Sequence, residues 1–407
     1  MAEIVVTASR LNSLQFNVPE PINILKRKSA GHFQLRTVPE ALSIVPGVFI
    51  QKTNHGGGSP FVRGLTGNQT LLLIDGIRLS NSTMRYGPNQ YLNTIDVFGI
   101  EKIEILKGSG SVQYGSDAIG GAIQVFTREL TFTEKEKLSA EALTRFATHN
   151  MEKSAHTTIG FSNKKFALSA GLTWRDFGDL RGGDTTGTQT PTGYKEFDVD
   201  LKGKVLLSRN SFLTMAYQRV HQMDVPVYHK VVLENYAVNK MDPQLRQLTY
   251  LRYNRNIKGK WLKDVVLTAS YQDSEEEREI QKRGSQVLRF ENDKVKTVAF
   301  TGELHFSNGN IWSGSSGIEF YHDMVGSMRK DLDLTTGTSL VKRGLYPDNS
   351  IMSGLAVYSL HTFDFRYWII SAGARYNTFV IRVDDAVLGA TRLSPSALVG
   401  NLALLRK

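Results

Sequence analysis

The chain has 407 residues, more than one ordinary domain holds, a formal net charge of +10 and no cysteine. Disulfide staples and thiolate metal sites are therefore excluded, and the composition suits an oxidising compartment. No run reaches the roughly 18 apolar residues of a membrane helix, which excludes helical insertion but not a strand barrel, where alternate residues alone meet lipid.

The first ten residues, MAEIVVTASR, lack a basic segment followed by an apolar one, so the chain is expected either in the cytosol or with a start Met in place of a secretory signal. Residues 37–48, TVPEALSIVPGV, predict a short helix opened by Thr37, with Pro39 in its first turn and Pro46-Gly47 at its end. The strand-like runs FIQK, PFVRG, TLLLIDGIRL and IEKIEILKG follow, separated by Gly, Asn and Ser. Among them LLLIDG predicts a buried strand closed by an Asp-Gly turn. Residues 30 to about 130 are thus expected to form a small α+β domain.

Within it, GSDAIGGA (115–122) comes close to a phosphate-binding loop. Such a loop needs a lysine to neutralise phosphate and a hydroxyl to hold magnesium. Here Gly121 and Ala122 occupy those positions, and AIQVFT beyond them favours a strand over the helix whose N-terminus would receive the anion. A nucleotide site is excluded, and what remains is a glycine-dense turn between two strands.

From about residue 137 the pattern becomes long and alternating. In EFDVDLKGKVLLS (196–208), Phe197, Val199, Leu201, Gly203, Val205 and Leu207 share one face, while Glu196, Asp198, Asp200, Lys202 and Lys204 share the other. KFALSAGLTWRDF (165–177), KTVAFTGELHF (296–306) and RYWIISAGARYN (366–377) repeat the alternation. A soluble sandwich alternates too, but its strands cluster near 5 to 6 residues, and these runs reach about 10 to 13. Short turns alternate with long polar loops near 176–194, 221–245, 275–293 and 323–350, the layout of an outer-membrane barrel of roughly a dozen strands. Lysine and arginine are scattered without a dense cluster. The net charge then points to lipopolysaccharide phosphates, outer-membrane lipid or acidic ligands rather than to nucleic acid.

Taken in order, these segments resemble a TonB-dependent outer-membrane receptor. EIVVTASR (3–10) resembles the TonB box, and PEALSIVPGV, FVRG, LLLIDGIRL and IEKIEILKGSGSVQYGSDAIGGAIQVFT (100–127) resemble the ordered signatures of the plug. The resemblance implies a mainly β fold: a TonB box at 1–10, a linker at 11–29, an N-terminal α+β plug domain at 30–130, and an antiparallel transmembrane β-barrel from 131 to 407. About 12 of an expected 22 strands are present.

The resemblance also implies transport without bond chemistry or a cofactor. Glu3, Ile4, Val5, Val6, Thr7 and Ala8, extended and without a fixed local partner, would add an edge strand to the TonB complex, which supplies the energy. The expected cargo is an iron chelate, a ferric siderophore or haem; cobalamin, another metal chelate and an oligosaccharide are alternatives, and a surface lipoprotein is a further candidate partner. Gly64, Gly76, Gly108, Gly115, Gly120 and Gly121 are expected to be architectural, allowing positive φ and close backbone approach.

His55, in a glycine-rich loop expected near the apex of the plug, is a candidate ligand to haem iron, with a solvated loop histidine as the alternative. Arg63, Arg85, Tyr86 and Tyr91 are candidates to meet an anionic aromatic ligand. The alternative for the arginines is pairing with wall carboxylates such as Glu196 and Asp198. His221, His229 and His322 fall in or beside presumed loops and are expected to be bystanders.

The second-half motif pair of the haem branch of the family is absent. The chain stops at LSPSALVGNLALLRK without the terminal aromatic of barrel C-termini, so a fragment or truncated product is expected. A β-rich surface binding protein that crosses no membrane is the competing class. An enzyme is disfavoured, since no triad order, metal-ligand spacing or nucleotide loop survives inspection.

Overall fold

In the computed structural model, which describes residues 4–5, 10, 13–14, 18–27, 35–309 and 311–407, the glycine-dense segment joins two strands of a five-stranded sheet. Gly121–Thr127 is the middle strand, antiparallel to Ile100–Lys107 on one side and parallel to Thr70–Ile74 on the other. Ile22–Lys26 and Ile77–Arg78 form the two edges. All five residues of Thr70–Ile74 are buried, as a continuous apolar run covered on both faces requires. Asp75 and Gly76 then reverse the chain with φ of 49° and 80°, the geometry an Asp-Gly turn favours. Ile22–Lys26 lies inside the segment expected as linker, and its Ile22 and Leu25 are buried, so this sheet draws on chain before residue 30.

The helix spans Val38–Leu42, with the Thr37 hydroxyl accepting from the Glu40 N–H at 3.4 Å. It stops at Ser43 rather than at Pro46. The Ser43 N–H and hydroxyl both donate to the Glu40 carbonyl, at 3.1 and 2.6 Å, and the Val45 N–H takes that of Leu42, so tighter turns satisfy the last carbonyls. Between Ile100–Lys107 and Gly121–Thr127 the chain makes one helical turn, Ser111–Tyr114, which the glycine-dense reading did not anticipate. Gly115 ends it at φ 90° and ψ −150°, a conformation that side chains with a Cβ rarely adopt. A Cβ on Gly121 would strike the carbonyl oxygen of Leu106, so close approach requires glycine there as well.

The second body is a 15-stranded antiparallel sheet. Three of its strands, Val225–Pro226, Ser339–Arg343 and Gly389–Leu393, are short side pairs; the remaining twelve run in sequence from Lys137–Ala147 to Ser396–Arg406, each beside the next. Arg145 on the first long strand reaches the Leu35 carbonyl of the globule, and Arg375 on the eleventh reaches that of Gln113, so the sheet curves around the globule. Among the described residues no pairing joins the first long strand to the twelfth.

The alternation read from the sequence sorts the two faces. Leu168, Leu172 and Trp174 are 52%, 53% and 46% exposed on the outer face, whereas the intervening Thr173 and Arg175 are each 1% exposed against the globule. No helix among the described residues is long and apolar enough to cross a membrane.

The expected loop at 275–293 is instead ladder. Leu262–Lys282 and Val287–Asn308 stay paired from Glu275↔Lys294 to Ile280↔Arg289 and turn within residues 283–286. Cross-strand charge sustains the pairing outside the apolar band, with Arg278 within 3.3 Å of Glu276, Glu291 and Asp293. Residues 236–245 and 323–333 likewise extend strands Tyr236–Asn256 and Trp312–Asp333, and a short helix, Tyr228–Leu233, interrupts the segment 221–245.

Candidate functional site

Polar side chains on the inner face of the wall are buried and need partners, and the interface between the two bodies is built largely from them. Asp75, at the reversal after Thr70–Ile74, accepts from the N–H and hydroxyl of Thr127 at 2.8 and 2.6 Å and from the Tyr250 hydroxyl of the wall at 3.0 Å. Lys202 of the wall stands 3.6 Å from its carboxylate, and Arg252 donates to its carbonyl. Asp96 forms a second seat, accepting from Arg175 and from the Thr173 hydroxyl, the latter at 2.6 Å. Arg175 is also 3.2 Å from Glu196 and lies over the Phe98 ring at 4.7 Å.

This reverses the expected polarity at Glu196 and Asp198. Glu196 is held by Arg175 and Gln222 of the wall itself, and neither carboxylate oxygen of Asp198 has a hydrogen-bond partner among the described residues. At these seats the globule supplies the acids and the wall the cations. Two globule-side arginines follow the expected direction, at other carboxylates. Arg85 donates to both oxygens of Glu276, at 2.8 and 2.9 Å, and Arg10 pairs with Glu319 and, at 3.2 Å, with Glu303. Arg10 also donates to the Tyr358 hydroxyl at 3.0 Å and sits 4.6 Å over the Tyr114 ring. Glu319 is shared with Arg375, at 2.6 Å.

Of the candidate ligand residues, Arg85 and Tyr91 are brought together on the long-loop side, the guanidinium 6.0 Å from the Tyr91 ring centre. The Tyr91 hydroxyl donates to the Thr83 carbonyl at 3.3 Å, and Tyr346, from the segment beyond Trp312–Asp333, donates to the same carbonyl at 2.8 Å. Burial, then the Glu276 charge, push the Tyr91 phenol up, while Glu276 keeps Arg85 firmly charged. Tyr86, in the same loop, is 78% exposed.

His55 and Arg63 lie elsewhere. Arg63 is exposed at a turn with φ 53°, beside Gly108. His55 is 2% exposed, its ring 4.7 Å from that of Phe177. Arg36 can only donate, so at 2.8 Å it fixes His55 Nε2 as the acceptor, and Nδ1–H donates to the Gly178 carbonyl at 2.8 Å. Both ring nitrogens are occupied, which leaves no lone pair for iron. Burial, with Arg36 and Lys52 nearby, lowers the pKa of the imidazole to about 4.

His221 lies on Ser211–Met223, His229 on the short helix 3.8 Å from Glu234, and His322 on Trp312–Asp333 with Nδ1 2.8 Å from the Ser353 hydroxyl. No three metal-ligating side chains converge among the described residues. Ile4–Val5 pairs with Ser13–Leu14, so this part of the segment expected to lack a local partner has one; Glu3, Val6, Thr7 and Ala8 lie outside the described residues. Sequence reasoning missed Arg10, Asp75, Asp96 and Arg175, and the available signal was a charge on the inward parity of a strand or at a turn facing it.

A family model described as the TonB-dependent Receptor Plug Domain matches residues 15–122. The vitamin B12 transporter BtuB of Vibrio vulnificus is 30% identical over 193 residues, 47% of this chain and 30% of that protein. The BtuB of Photobacterium profundum is 34% identical over 125 residues, 30% of this chain and 20% of that one. The matches thus span less than a third of those relatives' length. Among solved structures, the copper transporter OprC superposes with a TM-score of 0.76 at 13% identity, covering 94% of this chain and 60% of that one. The ferric citrate transporter FecA, unliganded, gives 0.73 at 15% identity, covering 99% and 62%. Residues 15–122 thus match the TonB-dependent receptor plug family, and the small sheet they build is seated through buried ion pairs in an antiparallel wall whose fold superposes on that of such transporters.

Proposed function

We propose that the chain acts in the outer membrane as a receptor that binds a scarce metal chelate on its long-loop side and admits it past the plug, using energy delivered to residues 3–8. The carrying observation is the plug seat. Beside a few backbone bonds and apolar contacts, its seat in the wall is built from side-chain ion pairs and hydrogen bonds centred on Asp75, Asp96, Arg85 and Arg10, which a pull on the N-terminal segment can exchange for water. Tyr86, exposed and next in sequence to the Arg85 that pairs with Glu276, is the candidate plug residue that is open to meet cargo.

A ferric siderophore is the first cargo. A corrinoid is the second, favoured because the relatives at 30% and 34% identity are vitamin B12 transporters. Haem loses the support that His55 would have lent.

Val6→Pro tests the transport reading, because proline removes the N–H that an added edge strand needs. Energised uptake by cells carrying the variant is expected to vanish while surface binding persists; uptake equal to the parent's would refute the reading. Uptake of radiolabelled cobalamin and growth on single iron sources after gene deletion then separate the two cargoes.

A further inference from the structure

The net charge of +10 finds an outlet on one rim of the wall. On the long-loop rim cations are interleaved with acids: Lys240 stands within 4 Å of Asp224, Asp242 and Glu279, Lys294 pairs with Glu275 at 2.8 Å, and Lys342 with Asp331 at 2.9 Å. Exposed cations without an ion pair among the described residues occur on that rim too, such as Arg181, Lys195 and Arg392, but on the tight-turn rim they cluster. Arg209, Arg255, Lys258, Lys260 and Arg366 are all exposed there, and none has a carboxylate within 4 Å among the described residues. Of the acids nearby, Asp364 is engaged with Lys407 and Glu134 with Lys164, while Asp264, opposite Asn256 in the ladder, stands beyond ion-pair distance of these cations.

Four of these cations form one patch. The Asn256 N–H donates to the Asn210 carbonyl at 2.8 Å, which fixes the turn carrying Arg209 against the one carrying Lys258 and Lys260. Aromatic rings mark the same level. Trp261, Tyr367 and Trp368 are exposed, with Lys260 5.5 Å over Trp261, Arg366 5.2 Å over Tyr367 and Arg406 5.8 Å over Trp368. Exposed tryptophan and tyrosine at the end of an apolar band lie at headgroup depth, and unpaired lysine and arginine at that depth meet phosphate.

We propose that the tight-turn rim, centred on Arg209, Arg255, Lys258 and Lys260, is a docking surface for anionic glycerophospholipid headgroups of the leaflet it faces. Charge complementarity and the adjoining aromatic belt select this occupant. The inference rests on the reading of the outer face as lipid-facing.

The test folds the full chain into vesicles of phosphatidylcholine alone and of phosphatidylcholine mixed with phosphatidylglycerol, then compares lipid retention by native mass spectrometry. The parent is expected to retain phosphatidylglycerol over phosphatidylcholine at least about fivefold, the effect of one well-placed cation. The preference should fall to near parity in the triple variant Arg255→Gln, Lys258→Gln, Lys260→Gln and in high salt. Equal retention of both lipids by an inserted parent overturns this inference alone, as does an undiminished preference in the triple variant. Failure to insert into either vesicle overturns the lipid-facing reading and this inference with it. Retention of added lipopolysaccharide with phosphatidylglycerol ignored would move the surface to the other rim and also overturn it.

Discussion

The plug and the wall use the same residue types for opposite ends. In the plug, Leu72 and Ile105 are 2% and 0% exposed because their surroundings are protein. In the wall, Leu168 and Leu172 are more than half exposed, which the proposed outer-membrane setting explains, since hydrocarbon would cover them there. The polar residues exchange places as well. The plug's core cluster is apolar, while the wall's inner face carries Arg175 and Lys202, which acids of the plug meet. Burial therefore identifies the core in one body and the charge network in the other.

The largest test of this contrast is to remove one member of that network. Asp75→Ala leaves Lys202 and the Tyr250 hydroxyl facing the plug with a lost partner, and withdraws two bonds from Thr127. Breaking a buried pair this way costs about 3–5 kcal/mol. The loss is expected in the plug's seat and not in the wall: hydrogen exchange along Gly121–Thr127 should accelerate while the heat-modifiable mobility of the wall on gels stays as in the parent. Equal loosening of both bodies would show that they are one cooperative unit.

A matched pair of leucines sharpens the comparison further. Leu72→Ala opens a cavity in close-packed protein and is expected to cost about 2–5 kcal/mol. Leu172→Ala exchanges protein–lipid contact for lipid that flows into the gap, and is expected to cost no more than about 1 kcal/mol. Urea unfolding in detergent micelles measures both, and similar costs would mean that Leu172 packs against protein.

What could be read from the sequence follows the same division. Parity along EFDVDLKGKVLLS assigned the side chains from Glu196 to Val205 to their faces, because a strand's period is two whatever surrounds it. The Asp-Gly turn was legible for the same local reason, whereas the contact that calls for glycine at 121 comes from Leu106 on the neighbouring strand. Extension of Leu262–Lys282 into the expected loop was not, since Glu275 to Glu279 look like solvated loop until Arg278 meets Asp293 across the ladder. Which inward charge meets which was also hidden. Arg10 and Glu319 are about three hundred residues apart, and Asp96 and Arg175 lie on different bodies. His55 carried no mark distinguishing a buried, doubly bonded ring from an open one.

That ring supplies an effect set by pH. Arg36 donates to Nε2, and a proton added there would face the guanidinium at 2.8 Å in a site with little water. Burial first, then the Arg36 and Lys52 charges, hold the folded imidazole near 4, below the ordinary 6.5 that the unfolded chain keeps. Between those two values the unfolded chain binds more protons than the folded one. The contribution of His55 is therefore complete above pH 6.5 and drains away as pH falls towards 4, by about 3 kcal/mol at most.

Glu40, which holds Arg36 at 2.8 Å, contributes in a different window. Its burial favours the neutral acid, but bonds from Arg36 outweigh this and lower its pKa to about 2, so its stabilisation is present above 4.5 and lost on the way down to 2. Melting of the plug followed from pH 7 to pH 4.5 should fall in the parent and stay nearly flat in His55→Asn, whose amide can still donate to the Gly178 carbonyl. A parent that melts equally at both pH values would mean that water reaches the ring, and that His55 belongs to the open loop face after all.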